Sequence, residues 1–521
     1  MKNEKKQKIV WVDDEIHLLK PHILFLENKG YDVLTATNGV DALDIIRSQY
    51  IHAVLLDEMM DGVNGLAVLE KIKHLRPSLP VIMITKNEEE SLMEDAIGRK
   101  ISDYLTKPIN PSQILLVLKK NLEGHHITQE AQAQQYMKNF GEMNIRINED
   151  KSSLKHWATL HTDLCRWEIE FDENPQEELK NILNDQIFEA NVRFEKQVIE
   201  NYESWINGSA DLPMSHQVLD TYVLPSLKNG EKVLLLVIDC MRLDQWLMLS
   251  PIIDQRFDSE LYHQVSILPT ATPYSRNALF AGDTTDKIYK RYPDIYDDPE
   301  SEESMNRYER NLLEDYLENR GLSKSVSSKF QKIIHSQQGE QIAAHFSDYL
   351  GVNFLTFVVN FVDILAHRRS ESDILQEIVP NESSYRKIVR SWFENSYLLK
   401  ILEKAAMQDY TLIVTSDHGS RKVSRGCLVK ADKETSTSVR YKVGRNLKVP
   451  DKQAYCIRDP KRFRLPETQV YTNYIFARSD YFFLYPNNLR KYEKNYPDSF
   501  QHGGISLHEM ILPVAILHPR K

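Results

Sequence analysis

The sequence has few cysteines, lacks a long apolar run and carries no excess of positive charge. Its four cysteines, Cys165, Cys240, Cys427 and Cys456, form no C-x-x-C pair, so neither a disulfide framework nor a thiolate zinc site is indicated. The longest apolar runs, VLLLVI and FLTFVV, are only as long as a strand and too short to cross a bilayer. The first residues also lack the apolar segment of a signal peptide. We therefore expect a cytoplasmic protein with reduced thiols.

The charge and the length limit the class of protein further. A net charge of −10 argues against a protein that coats DNA, because such proteins need a basic face to neutralise phosphates. A chain of 521 residues is long enough for about three domains. Changes in the hydrophobic pattern predict domains at 1–122, 123–225 and 226–521, with a mostly helical insertion near 283–350. Nothing after residue 122 has the pattern of a winged helix.

Residues 1–122 alternate short apolar runs with amphipathic segments, which predicts a doubly wound parallel α/β sheet. The predicted strands are KIVWV, DVLTA, AVLLD, PVIMIT and DYLTKP. Ligands of such sheets bind at the carboxyl ends of the strands. The polar residues found there are Asp13, Asp14, Asp57, Thr85 and Lys107. Clustered carboxylates repel one another unless a hard cation lies among them, so the pattern predicts a Mg²⁺ site.

Over its whole length this segment resembles the CheY-like receiver domain of two-component response regulators. The resemblance implies that Asp57 accepts a phosphoryl group from a sensor histidine kinase. It implies one Mg²⁺ held by Asp14, Asp57 and the Met59 carbonyl, with Asp13 acting through water. It also implies Thr85 and Tyr104 as the switch pair, Lys107 as the phosphoryl contact, and a phosphorylation-dependent homodimer.

Residues 123–225 have a different pattern. The stretch EELKNILNDQIFEANVRFEKQVIENYESWI spaces its apolar residues three and four positions apart, with charges between them, which predicts a long amphipathic helix. No metal or catalytic cluster is apparent in this region. We expect a helical bundle that couples two domains or dimerises.

From residue 226 the alternating α/β pattern returns, and its strands end in potential metal ligands. KVLLLVID, NFLTFVVNFVDILAH and TLIVTSDHGS are apolar strands of the buried kind, as is DYFFLYP. The residues at the strand ends, together with a histidine near the C-terminus, are Asp239, Asp363, His367, Asp417, His418 and His502. Mixed histidine and carboxylate ligands suit Zn²⁺ or Mn²⁺, and six are too many for one tetrahedral ion. The pattern therefore predicts two metal ions that stabilise the attacking and leaving oxygens of a phosphoryl displacement.

The segment LPTATPYSRNALFAG adds a hydroxyl to this set. Its Thr-x-Thr-Pro turn opens a predicted helix, so Thr270 or Thr272 would lie at a positive helix end. A threonine hydroxyl needs a metal or a base to become a nucleophile. Asn277, one turn later, is either a donor to a phosphate oxygen or an ordinary helix residue.

These motifs, over about 290 residues, resemble the alkaline phosphatase superfamily and specifically its PglZ branch. The resemblance implies one zinc ion on Asp363, His367 and His502. It implies a second zinc ion on Asp239, Asp417, His418 and Thr272. It also implies Thr272 as the nucleophile in preference to Thr270, because related phosphodiesterases use the threonine at the Thr272 position. His335, His345 and His508 have no such partners and are expected to be bystanders. A receiver, a helical linker and a PglZ domain in one chain resemble the PorX-type response regulators of type IX secretion.

The stretch 421–464 bears on the substrate. It holds fourteen Lys or Arg against four Asp or Glu directly after the predicted ligands Asp417 and His418. Such a field would attract polyanions, and Tyr441, Tyr455 and Phe463 could stack on bases, although a solvated basic loop explains the charge as well. The favoured function is a zinc-dependent phosphodiesterase acting on nucleotides or short oligonucleotides.

Two alternatives remain at this point. One is a phosphorylation-controlled interaction protein with a structural metal site, which binds a sigma factor or a secretion component. The other is a phosphomonoesterase, in which Arg242 or Arg276 would bind the non-bridging oxygens of the substrate.

Overall fold

The computed structural model describes residues 6–60, 63–86, 101–122, 124–149, 153–296, 302–370, 372–430, 438–468, 471–484 and 496–520. The chain divides into two compact units, residues 1–137 and 138–521. Most of the predicted helical segment 123–225 thus shares a unit with the C-terminal domain. Within the described ranges, no helix has both the length and the apolar character needed to cross a membrane.

The first unit contains the predicted doubly wound sheet. Its strands are β1 (Gln7–Val12), β2 (Tyr31–Ala36), β3 (Ala53–Asp57), β4 (Val81–Thr85) and β5 (Asp103–Thr106). All pairs are parallel, in the order β2-β1-β3-β4-β5, and the helices are α1 (Lys20–Asn28), α2 (Gly39–Ser48), α3 (Gly65–Leu75) and α4 (Pro111–Leu122). Separate apolar cores cover the two faces of the sheet. The strand order reverses between β1 and β3, which is where such sheets bind ligands.

Three long helices follow, α5 (Gly124–Asn148), α6 (Leu154–Glu173) and α7 (Glu177–Ser204). The predicted long amphipathic helix is α7. Helix α6 begins where the Ser153 side chain accepts a hydrogen bond from the His156 backbone N–H, as a good N-cap does. Its buried face is unusual, because it carries polar residues next to Trp157 and Phe171. These are His161, Thr162, Cys165, Glu168 and Asp172.

The second unit is built on a six-stranded sheet. Its strands are β6 (Lys232–Ile238), β7 (Phe257–Val265), β8 (Ser328–Ile333), β9 (Phe354–Val359), β10 (Tyr410–Thr415) and β11 (Ile511–Pro519), in the order β8-β9-β6-β10-β11-β7. Strands β8, β9, β6 and β10 are parallel to one another, whereas β11 runs antiparallel to both of its neighbours, β10 and β7. Strand β8 lies within the stretch 283–350, so that insertion is not purely helical but supplies an edge strand.

The sheet is covered by helices and continued by short strands. The helices are α8 (Leu224–Lys228), α9 (Leu243–Ile253), α10 (Thr272–Ala281), α11 (Thr285–Arg291), α12 (Glu302–Met305), α13 (Glu309–Asn319), α14 (Ser336–Ala344), α15 (Phe361–Arg369), α16 (Asp373–Ile378), α17 (Glu382–Asn395), α18 (Tyr397–Ala406) and α19 (Leu507–Met510). Short strands occupy Arg421–Lys422, Arg425–Leu428, Tyr441–Gly444, Ala454–Ile457, Asn473–Ala477, Tyr481–Leu484 and Phe500–Gln501. Tyr481–Leu484, within the apolar run DYFFLYP, pairs with Arg425–Leu428 in a separate small sheet, not with the main one.

Candidate metal centre and phosphoacceptor site

The register of the main sheet brings three strand ends together. Val359 of β9 pairs with Ile238 of β6, and Thr415 of β10 pairs with Val237 of β6. The residues that follow these strands therefore leave the sheet at one edge. They are Asp239 after β6, Asp363 and His367 on α15, and Asp417 and His418 after β10.

One group of ligand atoms belongs to Asp363, His367 and His502. The Nε2 atoms of the two histidines are 3.0 Å apart, and Asp363 Oδ1 lies 3.3 Å from His367 Nε2 and 3.6 Å from His502 Nε2. Burial by itself raises the pKa of a carboxyl group. The two imidazoles outweigh that effect and hold the pKa of Asp363 below its ordinary value. These three residues form a group with the spacing of metal ligands.

The second group belongs to Asp239, Asp417 and His418. His418 Nε2 lies 3.6 Å from Asp239 Oδ1 and 3.6 Å from Asp417 Oδ2. The other ring nitrogen, Nδ1, faces the Gly419 carbonyl at 3.1 Å, an arrangement that leaves the Nε2 lone pair for a ligand. Burial and then the charge of Asp239 raise the pKa of Asp417 well above its ordinary value. The His418 ring stacks on His502 with a centroid separation of 4.4 Å, so the two groups are adjacent.

The donor set fits cations. Asp239 Oδ1, Asp363 Oδ1 and Asp417 Oδ2 are buried, yet none has a hydrogen-bond partner among the described residues. Buried carboxylate oxygens without donors are costly unless a cation compensates them. In Asp239 the other oxygen, Oδ2, accepts from Arg276 at 2.5 Å and from Asn360 at 2.8 Å, which directs Oδ1 toward His418.

The two candidate nucleophiles, Thr270 and Thr272, have different hydrogen-bond partners. Helix α10 begins at Thr272, and Thr272 Oγ1 is 3.0 Å from His418 Nε2, within the second ligand group. Thr270 Oγ1 instead donates to the Gly504 carbonyl at 2.8 Å. The Thr272 hydroxyl is therefore the one placed with the potential ligands.

The carboxyl edge of the sheet in the first unit brings the predicted phosphoacceptor residues together. Lys107 Nζ lies 3.0 Å from Asp57 Oδ2 and 3.1 Å from Asp13 Oδ2. Asp13, Asp14 and Asp57 have the spacing of metal ligands, and a cleft of about 530 Å³ lined by Asp14, Asp57 and Met59 opens beside them. Burial raises the pKa of Asp57 above its ordinary value, although the Lys107 ammonium opposes the rise.

The remaining predicted receiver residues differ in exposure. Thr85 at the end of β4 is buried, whereas 41% of the Tyr104 side chain is exposed on β5. Gly65 lies close to the Asp57 backbone, since a Cβ on Gly65 would lie 2.3 Å from the Asp57 carbonyl oxygen. The Asp57 backbone thus has its position set by packing.

Comparison with known families agrees with this geometry. Residues 218–517, more than half of the chain, match the family described as the BREX system PglZ alkaline phosphatase-like domain. The chain belongs to the PglZ family. Residues 9–119 match the response regulator receiver domain, and residues 126–206 match the PorX response regulator linker domain. The protein is thus a response regulator of the PorX type with a PglZ output domain, related to phosphohydrolases.

Three relatives each match about a quarter of the chain. The alginate biosynthesis transcriptional regulatory protein AlgB of Pseudomonas aeruginosa is 32% identical over 131 residues, which are 25% of this chain and 29% of that protein. The match thus spans less than a third of that relative. A CheY-like receiver from Methanospirillum hungatei is 28% identical and covers 23% of this chain and 96% of its own, with a TM-score of 0.22. The receiver of NtrX from Brucella abortus is 32% identical, covering 22% of this chain and 98% of its own, with a TM-score of 0.21.

Some predicted residues of the PglZ domain have other roles in the structure. Asn277 is fully buried and donates to the Pro273 carbonyl at 2.7 Å and the Met305 carbonyl at 3.0 Å. Because both amide hydrogens are used, Asn277 has none left for a phosphate oxygen, and the predicted catalytic role is not supported. Arg242 is buried between Asp244 and Glu382.

The basic stretch 421–464 of the PglZ domain is partly neutralised. Six of its cations form ion pairs, namely Lys422, Arg425, Arg440, Lys461, Arg462 and Arg464. Tyr441 is buried against Tyr274, so it is not available to stack on a base as predicted, and Phe463 stacks on Tyr202. Tyr455 remains partly exposed.

Sequence reasoning missed several residues around the metal centre. Glu309 accepts from Arg276 Nε at 2.7 Å and Asn360 holds Asp239, but no motif marks Glu309. Asn360 directly follows β9, so its position at a strand end was an available signal.

Proposed function

We propose that this response regulator uses its PglZ domain as a zinc-dependent phosphodiesterase. The observation that carries the proposal is the position of the Thr272 hydroxyl, 3.0 Å from His418 Nε2 in a group of buried ligand atoms. Asp363, His367 and His502 would hold one zinc ion, and Asp239, Asp417 and His418 the other. Bound zinc supplies positive charge that stabilises the oxygens of the displacement and lowers the pKa of a nucleophilic hydroxyl.

The chain's own residues then account for a two-step reaction. The Thr272 oxygen forms a bond to phosphorus, its proton passes to solvent, and the bond from phosphorus to the leaving alcohol breaks. Water next attacks phosphorus in the threonine phosphodiester, the bond from phosphorus to Thr272 Oγ1 breaks, this oxygen regains a proton, and a phosphate monoester is released. Helix α10 contributes its positive N-terminal end next to the reacting group.

The arginines favour a diester over a monoester as substrate. A monoester carries a second charge, and an arginine fork is suited to its non-bridging oxygens. Arg276 already binds Asp239 and Glu309, and Arg242 already binds Asp244 and Glu382. Each guanidinium is thus already paired with two carboxylates.

Exposed cations support a polyanionic substrate of the nucleotide class. Five exposed cations in the basic stretch form no ion pair with residues that the structure describes, namely Lys430, Arg445, Lys448, Lys452 and Arg458. Their field would attract nucleotides or short oligonucleotides. Tyr455 offers a partly exposed ring for a base.

The receiver implies control by phosphorylation from an upstream kinase, which we propose is a sensor histidine kinase acting on Asp57 with one Mg²⁺ bound. The match to the PorX linker supports a role in regulating type IX secretion. A sigma factor or a secretion component is the corresponding protein partner.

Paired threonine variants test the proposed nucleophile. Thr272→Val keeps the shape of the side chain and removes the hydroxyl, so hydrolysis of a phosphodiester should fall by at least about 10³-fold while the protein stays folded. Thr270→Val, two residues away, is the matched control and should retain turnover. If Thr270→Val abolishes hydrolysis and Thr272→Val does not, the nucleophile is assigned to the wrong threonine.

A further inference from the structure

A third group of potential metal ligands lies away from the two catalytic groups, between α6 and α19. His161 and Cys165 are one turn apart on α6, and His508 lies on α19. Their ligand atoms are all within 4.8 Å of one another, and each residue is buried. The Cys165 sulfur is 3.6 Å from His161 Nδ1 and 3.7 Å from His161 Nε2. None of the three is a ligand in either catalytic group.

The polar atoms of His508 point to a ligand. Only 2% of the residue is exposed, yet neither ring nitrogen has a hydrogen-bond partner among the described residues. A neutral imidazole carries one donor and one acceptor, so burying both unpaired is costly. Glu168, one turn after Cys165 on α6, also has a buried polar atom without a hydrogen-bond partner, namely its Oε2. Glu168 Oε2 is the nearby acceptor, 3.6 Å from His508 Nε2.

The distances and the ligand types suit zinc. Bond lengths of about 2.0–2.1 Å to nitrogen and about 2.3 Å to sulfur place the ligands of a tetrahedral zinc roughly 3.5 Å apart. We propose that His161, Cys165 and His508 bind a zinc ion through three protein ligands, distinct from the catalytic metals, and that this ion fastens α6 to the C-terminal segment of the PglZ domain. Glu168 is a positioning residue, since a carboxylate on His508 Nε2 would leave Nδ1 for the metal.

Cobalt substitution tests this site without using catalysis. Thiolate ligands give Co²⁺ a charge-transfer absorption in the near ultraviolet, and the histidine and carboxylate ligands of the catalytic groups do not. The full-length protein, purified without metal and loaded with Co²⁺, should show this band. Cys165→Ser should abolish the band. Cys240→Ser should retain it, and it is the matched control because Cys240 is buried next to the ligand Asp239. No band in the unmodified protein, or a band lost only in Cys240→Ser, would overturn the proposal.

Zinc content provides a second readout if Cys165→Ser does not fold. A variant carrying both Asp363→Asn and Asp417→Asn should lose the catalytic ions and retain about one equivalent of zinc. Adding Glu168→Gln should weaken retention of that zinc against a chelator by about 10–100-fold. Complete loss of zinc from the doubly substituted protein would contradict a third site, whatever the outcome of the hydrolysis assays.

Discussion

At the residue scale, the two oxygens of Asp239 have different partners. Arg276 and Asn360 occupy Oδ2, whereas Oδ1 is buried without a hydrogen bond and lies 3.6 Å from His418 Nε2. Asp417 and Asp363 also keep one such oxygen each. The carboxylates are therefore held in place by neighbouring residues and still offer one atom each to a cation, which is the function of outer-shell partners in metal sites.

A prediction at this scale concerns the first ligand group. His367→Ala or His502→Ala removes a ligand from a site with three protein ligands, so zinc measured on the purified protein should fall by about one equivalent. His345→Ala is the control, because His345 is exposed and faces only the Gln341 carbonyl. Undiminished zinc in both test variants would show that these histidines do not bind the metal.

At the scale of elements, helix α6 is joined to the PglZ domain by buried charges. Arg386 on α17 is only 1% exposed and contacts Asp172 at 2.6 Å, Asp244 at 2.8 Å and Glu168 at 3.2 Å. Asp172 and Glu168 belong to α6, and Asp244 belongs to α9. One guanidinium thus neutralises carboxylates from two different helices.

We expect Arg386→Met to lower the free energy of unfolding by about 3–5 kcal/mol, because it removes the cation that contacts buried Glu168 and one of the two cations that contact Asp172 and Asp244. Arg390→Met, one turn later on the same helix, is the control. Its partners Glu173 and Glu394 are solvent-accessible, so it should cost at most about 1 kcal/mol. Chemical denaturation measures both. Equal losses for the two variants would contradict a special role for the buried network.

The sequence predicted the elements and ligands whose signal is local. Apolar strands that end in Asp239 and Asp417 mark both the sheet and its functional edge, and the receiver strands lie where predicted. The contacts of His508 with His161 and Glu168 could not be predicted, because they join residues more than 300 positions apart that carry no motif. His508 was expected to be a bystander for that reason. Strand β11 was also not identified, and its antiparallel pairing with β10 depends on tertiary contacts.

At the scale of the whole molecule, the proposed phosphoacceptor Asp57 and the proposed metal centre lie in different compact units. Phosphorylation of Asp57 adds a dianionic group beside Lys107, which lies 3.0 Å away. In receiver domains this change draws the switch residues, predicted here to be Thr85 and Tyr104, inward and alters the surface that carries them. Assembly of the chain is the property that we expect to respond.

We predict that beryllofluoride with Mg²⁺, a phosphoryl mimic, converts the protein from monomer to dimer, and that Asp57→Ala blocks the conversion. A change of about 1.4 kcal/mol is enough to shift the dimerisation constant tenfold. Light scattering over a concentration series measures the mass. Identical masses with and without the mimic would show that the receiver does not control assembly.

The most direct test of the central claim is turnover by the zinc-loaded full-length protein on matched substrates. Nitrophenyl diesters and monoesters of phosphate, together with short oligonucleotides, distinguish the substrate classes in one assay. Because each buried arginine already pairs with two carboxylates, we predict hydrolysis with kcat/KM higher for the diesters than for the monoesters. Two bound zinc ions without turnover of any of these substrates would contradict the account and leave the metal centre as the scaffold of an interaction protein.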